Sequence, residues 1–323
     1  MTGEAKEPVI DAVAIGRNEG ARLIRCLDSL AAARLRHVVY VDSGSTDTSI
    51  AEAEARGAIV VHLDVTQPFT AARARNAGVA ALPPGGDFVQ FIDGDCILDP
   101  GWIPLATRFL QDNPHVAVAC GRRREVAPQA SIYNRMIDRE WDTPTGQARS
   151  CGGDALMRSD AFHAAGGFNP ALIAGEEPEL CLRLRRAGWQ IWRLDAEMAR
   201  HDAAMHRFGQ WWRRSRRAGH AYAEGAALHG APPERHNVAQ TRRALIWGLG
   251  IPLTAILGAM LVSPWLLALL LAWPLQAIRL WRRDGDPVRA VFLTLGKLPE
   301  ALGVLEYWLK RLTGRSGRLI EYK

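Results

Sequence analysis

The segment FVQFIDGD, residues 88–95, is the part of the sequence that decides the fold. Its first five residues form a mostly apolar run of strand length, and Asp93-Gly94-Asp95 follows directly. Alternate side chains of an extended segment point to the same side, so both acids face one site. Two carboxylates suit Mg²⁺ or Mn²⁺, which in turn binds a pyrophosphate. Taken alone, the same letters also describe an ordinary Asp-Gly turn.

The residues around this segment alternate between short apolar runs and helical patterns. We predict strands at 8–15, 37–41, 58–61 and 88–92, and helices at 21–32, 45–56, 70–81 and 178–187. The early part of this order gives right-handed crossovers and a mainly parallel sheet, in which ligands bind at the carboxyl ends of the strands. Polar clusters follow three of the strands, at 16–19, 42–45 and 93–95. Three such clusters in sequence favour a shared binding crevice over three separate turns.

Composition narrows the class of protein and its partners. The chain has 323 residues, of which 48% are hydrophobic, so a packed core is expected and global disorder is excluded. The net charge of +6 suits nucleic acid, anionic lipid or phosphorylated substrates. Because helix-turn-helix, zinc-finger and RNP-type signatures are missing from the sequence, we expect no nucleic-acid partner. Five scattered cysteines without a CxxC pair fit a reducing cytoplasm, and the polar residues 1–8 predict no secretory signal.

The C-terminal part of the sequence changes character. No charged residue occurs from Ala244 to Ile278, and arginines flank this stretch at positions 242, 243, 279, 282 and 283. One bilayer crossing takes about 20 residues, so the stretch has room for two short crossings with a turn at Ser263-Pro264. Both basic flanks then lie on one side, which the positive-inside preference makes the cytoplasm. A buried helical hairpin and an interfacial hairpin are the alternatives, and residues 288–312 are amphipathic enough to lie on a membrane surface.

Several segments together resemble the family 2 glycosyltransferases of GT-A fold. The segments are AIGRNE (14–19), VDSGSTD (41–47), ARNAG (74–78) and FIDGD (91–95), and the likeness continues at 152–154, 166–168 and 175–180. Their order and spacing match as well as their residues, and a joint match is far more specific than any one motif. The resemblance implies an α/β GT-A catalytic domain. We assign it to residues 1–225, with a linker at 226–243 and hydrophobic and amphipathic membrane-associated helices at 244–323.

The resemblance also implies which side chains bind the nucleotide-sugar donor. Asp42 would contact the nucleotide base, and Asn18 and Glu19 would help to close the same pocket. Arg75 would lie near the diphosphate. Taken singly, Arg75 also suits a solvated charge on a helix, and Asp42 suits a turn cap.

A divalent cation, Mg²⁺ or Mn²⁺, is the cofactor that the resemblance implies. Asp95 would be its ligand, and Asp93 would approach the ribose or the metal. His201 would complete the metal shell, although a lone histidine is more often not a ligand.

The general base is implied by a second motif. The family usually has Glu-Asp followed two residues later by an acid and leucine, and this sequence reads EEPEL at 176–180. Glu177 therefore occupies the usual Asp position, with a reach longer by one methylene. Inverting transfer needs a carboxylate that takes the proton of the acceptor hydroxyl. We assign this role to Glu177, with Glu176 beside the acceptor. The alternative is a set of acids that complement the N-terminus of a helix, with Pro178 in its first turn.

Acceptor-binding residues are predicted at two further places. Asp154 lies in the resembling segment at 152–154 and would sit beside the acceptor or the donor sugar. Gln210, Trp211 and Arg213 resemble the QxxRW segment of processive relatives, but Arg214 replaces its tryptophan, which puts processivity in doubt. The same residues also suit a helix at the membrane interface.

Together these features predict an inverting, metal-dependent glycosyltransferase on the cytoplasmic face of the inner membrane. Its acceptor would be a lipid-linked saccharide or another glycan, in bacterial surface polysaccharide or glycolipid biosynthesis. A polyprenyl-phosphate sugar synthase and a catalytically inactive membrane scaffold of a polysaccharide complex are the alternatives. The scaffold is disfavoured because the catalytic acids are all present. A nucleotidyltransferase is disfavoured because residues 16–19 are not a glycine-rich phosphate loop.

Overall fold

The computed structural model describes residues 7–314 and divides the chain into two compact units. The first unit contains the described residues up to Ala130 together with Ile137–Ala204. The second contains Ser131–Met136 and the described residues from Met205 onward. The predicted domain end at residue 225 falls inside a helix, and the predicted linker at 226–243 includes the end of that helix and the beginning of the next.

A mixed β-sheet forms the centre of the first unit. Its strands are β1 (Ile10–Gly16), β2 (Val38–Asp42), β3 (Ile59–His62), β4 (Phe88–Asp93), β5 (Cys96–Leu98), β6 (Val116–Glu125), β7 (Gly146–Ala148), β8 (Ala155–Arg158) and β9 (Gln190–His201). Their order is β3-β2-β1-β4-β8-β6-β9-β5, and β7 pairs with β9. The prediction of parallel strands is confirmed for the first four in this order, which pair in parallel throughout. Beyond β4 the sheet is mixed, because β8 runs antiparallel to both β4 and β6, and only β6 and β9 pair in parallel.

Helices of the first unit occur at the four predicted positions and at three others. They are α1 (Ala21–Ala31), α2 (Ser49–Ala55), α3 (Ala71–Ala80), α4 (Trp102–Asp112), α5 (Ile132–Glu140, which begins in the second unit), α6 (Ser159–Ala164) and α7 (Glu176–Arg186). Helices α4, α5 and α6 were not predicted, and among the predicted ones α2 differs most, because it begins four residues later than the predicted start at 45. The carboxylate of Asp42 accepts hydrogen bonds from Gly44 and Ser45, so these residues form a turn instead of the first helical turn.

The close contact of α3 with the sheet positions Arg75, the residue that this helix contributes to the site. A Cβ on Gly78 would lie 2.3 Å from a methyl carbon of Val13 and 3.0 Å from one of Val41. Only glycine allows the helix to approach β1 and β2 this closely. One turn earlier on the same helix, Arg75 is therefore held directly against the carboxyl end of β4.

The second unit is helical. Its elements are α8 (Phe208–His229), α9 (Val238–Leu245), a π-helical turn (Ile246–Gly250), α10 (Ile251–Leu261), a 3₁₀ segment (Pro264–Leu271), α11 (Ala272–Asp284), α12 (Pro287–Leu295) and α13 (Lys297–Thr313). Helices α8 and α13 pack closely, because a Cβ on Gly219 would lie 2.0 Å from the carbonyl oxygen of Glu300. The predicted turn at Ser263-Pro264 is confirmed, since the helix before it ends at Leu261.

Two helical stretches of the second unit are long and apolar enough to cross a membrane, by length and composition alone. They are Val238–Leu261 and Pro264–Asp284. Only 17% of the apolar window of the first, and none of that of the second, is buried. Most of their apolar side chains are thus not buried in a protein core. This disfavours the buried hairpin among the three predicted alternatives.

Candidate active site

Hydrogen bonds join the loops that follow β1 and β2. These strands are parallel neighbours, and Gly16 pairs with Asp42 at their carboxyl ends. The Asn18 side-chain oxygen accepts the backbone N–H of Thr46 at 2.7 Å, and the backbone N–H of Asn18 donates to the Ser45 hydroxyl at 2.9 Å. Asn18 has φ of 54°, a left-handed conformation that asparagine tolerates. Its described contacts hold the two loops together.

Asp42 is buried at the end of β2, and both of its oxygens have hydrogen-bond partners. One oxygen accepts the backbone N–H groups of Gly44 and Ser45 at 2.9 and 2.8 Å, and the other accepts the Tyr40 hydroxyl at 3.2 Å. Burial, followed by the charge of Asp42, raises the pKa of Tyr40, so this hydroxyl stays a donor. Nearby, Glu19 forms an ion pair of 2.8 Å with Arg22. The turn cap is therefore present at Asp42, and its contact with a nucleotide base stays a prediction.

Arg75, Asp93 and Glu176 form one ion-pair network, although they are far apart in sequence. The Arg75 guanidinium lies 2.7 Å from Asp93 Oδ1 and 2.6 Å from Glu176 Oε1. Burial alone would lower the pKa of Arg75, but the charges of Asp93, Glu176 and Asp154 outweigh it and the net shift is upward. Arg75 is buried, so it is not the solvated helix charge that the sequence left open. Glu176 Oε1 accepts a hydrogen bond from Arg75, and its predicted role at the acceptor stays a prediction.

Asp154 is a fully buried anchor beneath the same network. Its Oδ1 accepts the backbone N–H of Asp93 at 3.0 Å, and its Oδ2 lies 2.8 Å from the Arg123 guanidinium. Burial is the largest cause that raises the pKa of Asp154, and the positive charge of Arg123 opposes it. These contacts fix the backbone at Asp93. They leave no exposed surface on Asp154, and its place beside the acceptor or the donor sugar stays a prediction.

Arg123 is a residue of the site that sequence reasoning missed. It lies 3.9 Å from Asp93, donates to the carbonyl of Gly152 at 2.9 Å, and stacks its guanidinium 5.0 Å from the Trp141 ring centre. The signal was present in the arginine triplet at 122–124. In β6, alternate side chains point to opposite faces, so the middle arginine points inward while its neighbours are more exposed.

The predicted metal ligands are brought together by the pairing of β5 with β9. Cys96 pairs with His201 in the antiparallel register, and the backbone N–H of Asp202 donates to the carbonyl of Asp95 at 3.0 Å. This register places Asp95 Oδ2 3.3 Å from His201 Nε2. The other ring nitrogen of His201 lies 3.5 Å from Glu125 Oε2, a carboxylate that orients the imidazole.

The geometry of this pair fits a divalent cation. Two ligand atoms that each lie about 2.1 Å from one cation are roughly 3 Å apart, close to the observed separation of Asp95 Oδ2 and His201 Nε2. The Cys96 thiol lies 3.7 Å from Asp95 Oδ1. Burial and the charge of Asp154 raise its pKa well above the ordinary value, so it remains a neutral thiol. The donors at hand are thus a carboxylate oxygen and an imidazole nitrogen, which suits Mg²⁺ or Mn²⁺ better than a thiophilic ion.

Glu177, the predicted base, lies in the first turn of α7 and is buried. Its Oε1 accepts the backbone N–H of Cys151 and the thiol of Cys181, the latter at 3.1 Å. The carboxylate therefore has a fixed orientation beside the Arg75–Glu176 ion pair, which involves the adjacent residue of the same helix.

Comparison with known proteins shows what this fold and site resemble. Residues 13–166 match the model of glycosyl transferase family 2. Over this segment the chain is similar to the family 2 glycosyltransferases. The segment contains the predicted donor residues and Asp95, whereas Glu177 and His201 lie beyond the matched segment.

Curated relatives resemble only part of the chain. The pre-mycofactocin glycosyltransferase of Mycobacterium tuberculosis is 27% identical over 202 residues, which are 58% of this chain and 41% of that protein. The succinoglycan biosynthesis protein ExoA of Rhizobium meliloti is 27% identical over 173 residues, 49% of this chain and 51% of that protein. The chain thus spans about half the length of the curated relatives it matches.

A solved structure shares the GT-A fold over most of the chain. The mannosyltransferase PcManGT of Pyrobaculum calidifontis, in complex with GDP-mannose and Mn²⁺, superimposes with a TM-score of 0.64 at 17% identity. The alignment covers 92% of this chain and 87% of that one. The predicted fold class, an α/β GT-A domain with C-terminal apolar helices, is confirmed.

The residues of the predicted QxxRW-like segment lie in the second unit, outside the segment that matches the family model. Gln210 Oε1 accepts the backbone N–H groups of His206 and Arg207, both at 2.9 Å, and so caps the start of α8. Trp211 is buried against Phe292, with ring centres 4.9 Å apart, and Arg213 is exposed. These are the contacts of a helix start and a local core, and the acceptor role of all three residues stays a prediction.

Proposed function

We propose that this chain is a divalent-metal-dependent, inverting glycosyltransferase. It transfers a sugar from a nucleotide-sugar donor to a hydroxyl of a lipid-linked saccharide or another glycan. The observation that carries the proposal is the Asp95–His201 pair, 3.3 Å apart, in which Asp95 follows the strand that ends in Asp93 and His201 is the last residue of β9. The pair offers ligands for a cation at the place where a donor diphosphate would bind in this family.

The chemistry divides between the cation and the residues of the chain. When bound, Mg²⁺ or Mn²⁺ supplies positive charge that stabilises the departing diphosphate. Support comes from the Mn²⁺ and GDP-mannose bound to PcManGT. Arg75 and Arg123 hold Asp93 and Asp154 in place, and Asp42, Asn18 and Glu19 form the walls of the donor pocket.

Transfer requires one bond to form and one to break. The acceptor oxygen bonds to the anomeric carbon, the bond from that carbon to the diphosphate breaks, and the acceptor proton passes to Glu177. Attack opposite the leaving group inverts the anomeric centre. The buried, oriented carboxylate of Glu177 supports this assignment.

The second unit supports a membrane-bound acceptor on the cytoplasmic face of the inner membrane. Two exposed apolar helical stretches are flanked by arginines, which favours lipid contact with the basic flanks at the cytoplasmic side. The name of ExoA, a succinoglycan biosynthesis protein, supports a role in bacterial surface polysaccharide or glycolipid assembly.

A donor screen by release of nucleoside diphosphate tests the proposal. Purified protein in detergent, with a bacterial lipid extract as acceptor, is offered a panel of UDP- and GDP-sugars with Mn²⁺, Mg²⁺ or EDTA. We expect turnover of at least one donor that EDTA abolishes and Mn²⁺ or Mg²⁺ restores. No release from any donor contradicts the enzyme assignment, and undiminished release in EDTA contradicts the metal role.

A polyprenyl-phosphate sugar synthase is the second candidate, because the same exposed helices also favour a lipid phosphate as the acceptor. A phosphate oxygen is already ionised and hardly needs a base. The Glu177→Gln variant therefore separates the two candidates. Transfer to a hydroxyl is lost in this variant, and transfer to a lipid phosphate is retained.

A further inference from the structure

The long side chain of Glu177 could adopt several orientations, and contacts with neighbouring residues restrict them. This inference rests on the proposed function, in which Glu177 takes the acceptor proton. Glutamate has one more rotatable bond than the aspartate usual at this position. A base that samples several rotamers spends less time in line with the acceptor hydroxyl, and small misplacements reduce rates strongly. A glutamate base therefore needs a restraint on its carboxylate.

The restraint acts on a single oxygen. Both hydrogen bonds that the described part of the chain makes to this carboxylate end on Oε1, one from the backbone N–H of Cys151 and one from the Cys181 thiol at 3.1 Å. Cys181 follows Glu177 by four residues on α7, so the two side chains share one helix face. Cys151 lies in the segment before β8 and approaches from a different element. Oε2 is left for the acceptor.

The Cys181 thiol is in the protonated form that this contact requires. Its contact with Cys151, its burial and the charge of Glu177 raise the pKa of Cys181 well above the ordinary value. The Cys151 sulfur lies 3.8 Å from the Cys181 sulfur, but a carboxylate is a far better acceptor than a thiol sulfur. The Cys181 hydrogen therefore points to Glu177 Oε1.

We propose that Cys181 is the positioning residue of the general base. Its thiol and the Cys151 backbone N–H fix Oε1 of Glu177, so that Oε2 faces the acceptor hydroxyl and receives its proton. No bond forms or breaks at sulfur. An aspartate has few orientations because its side chain is short. The contact with Cys181 gives the longer Glu177 a similarly fixed orientation.

Two substitutions at Cys181 and one matched control test the proposal by steady-state kinetics. Cys181→Ala removes the donor, and we expect kcat to fall by roughly tenfold while the KM for the donor sugar changes little. Cys181→Ser keeps a donor on the same helix face, and we expect kcat within about threefold of the parent enzyme. Cys120→Ala removes another buried thiol, which donates to the Trp192 carbonyl at 3.6 Å, and we expect parent-like kcat. Equal losses in the Cys181→Ala and Cys120→Ala variants, or no rescue by serine, overturn the proposal.

A double-mutant cycle separates positioning from general packing. In a Glu177→Asp background the carboxylate ends one methylene short of the thiol, so adding Cys181→Ala should change kcat by less than about twofold. A structural role would lower kcat as much in this background as in the parent. Glu177→Gln tests the base assignment separately. If it retains parent activity, the proposed base is wrong, whereas lost activity in Glu177→Gln with unchanged kcat in Cys181→Ala rejects only the positioning role.

Discussion

The two units of the chain place their apolar residues in opposite ways. In the first unit, the apolar side chains of β1, β2 and β4 are almost completely buried by the helices and neighbouring strands. In the second unit, Leu261, Val262 and Trp265 are 80%, 80% and 86% exposed. A contiguous exposed apolar surface marks contact with a membrane or another protein. The first unit therefore buries its own hydrophobic side chains. The exposed apolar side chains of the second unit require contact with an apolar phase outside the described chain.

The two units also differ in the ionisable groups that they bury. The first unit buries Arg75, whose guanidinium pairs with Asp93 and Glu176. The second unit buries His220, whose pKa is lowered to about 4 mainly by burial. Paired buried charges are costly to hold and are typical of catalytic sites, whereas a neutral buried histidine belongs to ordinary packing. Chemistry is thus expected from the first unit and attachment from the second.

The largest expected effect comes from Asp95, the proposed metal ligand. Asp95→Asn keeps the shape of the side chain but removes the charge proposed to bind the cation, so we expect nucleoside diphosphate release to fall by roughly a thousandfold. Asp112→Asn, the same chemical change at an exposed position on α4, should leave the rate unchanged. A rate in Asp95→Asn within a few-fold of the parent would break the assignment of chemistry to this pair.

Second in size is the loss of the buried guanidinium at position 75. Arg75→Met leaves Asp93 and Glu176 without their shared partner, and we expect the free energy of unfolding of the first unit to fall by about 4 kcal/mol. Arg108→Met, at a side chain that is 86% exposed, should cost less than about 0.5 kcal/mol. Denaturant titration in detergent measures both. Similar small losses in the two variants would show that the network does not stabilise the unit.

The sequence predicts the donor half of the fold well because three of its four strands, β1, β2 and β4, are apolar runs that end in polar clusters. The predicted strand at 88–92 is observed as Phe88–Asp93. The second half of the sheet escapes such reasoning. Strands β5 and β7 have only three residues each, and the long strand β9 mixes buried and exposed positions. Their pairing depends on contacts across the sheet, which local patterns do not encode.

Local sequence patterns also predict only part of the candidate site. The proximity of Asp95 and His201 follows from the register of β5 against β9, so spacing in the sequence could only suggest it through the family resemblance. Arg123 was within reach, since alternation along β6 places it inward with Glu125. The contact of Cys181 with Glu177 was also accessible, because the two residues are four apart on one helix. The approach of Cys151 was not, since it comes from a separate loop.

The third prediction concerns the pH dependence of the second unit. His220 packs against Tyr307, with Glu224 3.8 Å from its ring nitrogen and with Lys310 and Glu306 nearby. Burial, followed by the charge of Lys310, lowers its pKa to about 4. An unfolded histidine takes up a proton near pH 6.5, whereas the folded one does not until about pH 4. Stability is therefore complete above pH 6.5 and falls as the pH drops through this window, by up to about 3 kcal/mol.

Thermal unfolding in detergent between pH 7.5 and pH 5 measures this effect. His220→Gln should flatten the pH dependence, because the variant has no group to titrate in this range. His62→Gln, at an exposed position of the first unit, should leave the parent profile intact. If the parent and His220→Gln profiles have the same slope, the buried histidine does not control acid stability.

The smallest expected effect tests the attachment role of the second unit directly. Leu261→Ser removes one apolar side chain that is 80% exposed, and Leu105→Ser makes the same change at a 47% exposed position of the first unit. If the exposed helices enter the bilayer, Leu261→Ser loses the transfer free energy of one leucine, and binding to anionic vesicles should weaken by roughly tenfold. Leu105→Ser should not change it. Vesicle flotation at matched protein concentration compares the two. Equal binding of both variants would mean that this end of the helix pair does not contact lipid, and the apolar surface would then require a protein partner.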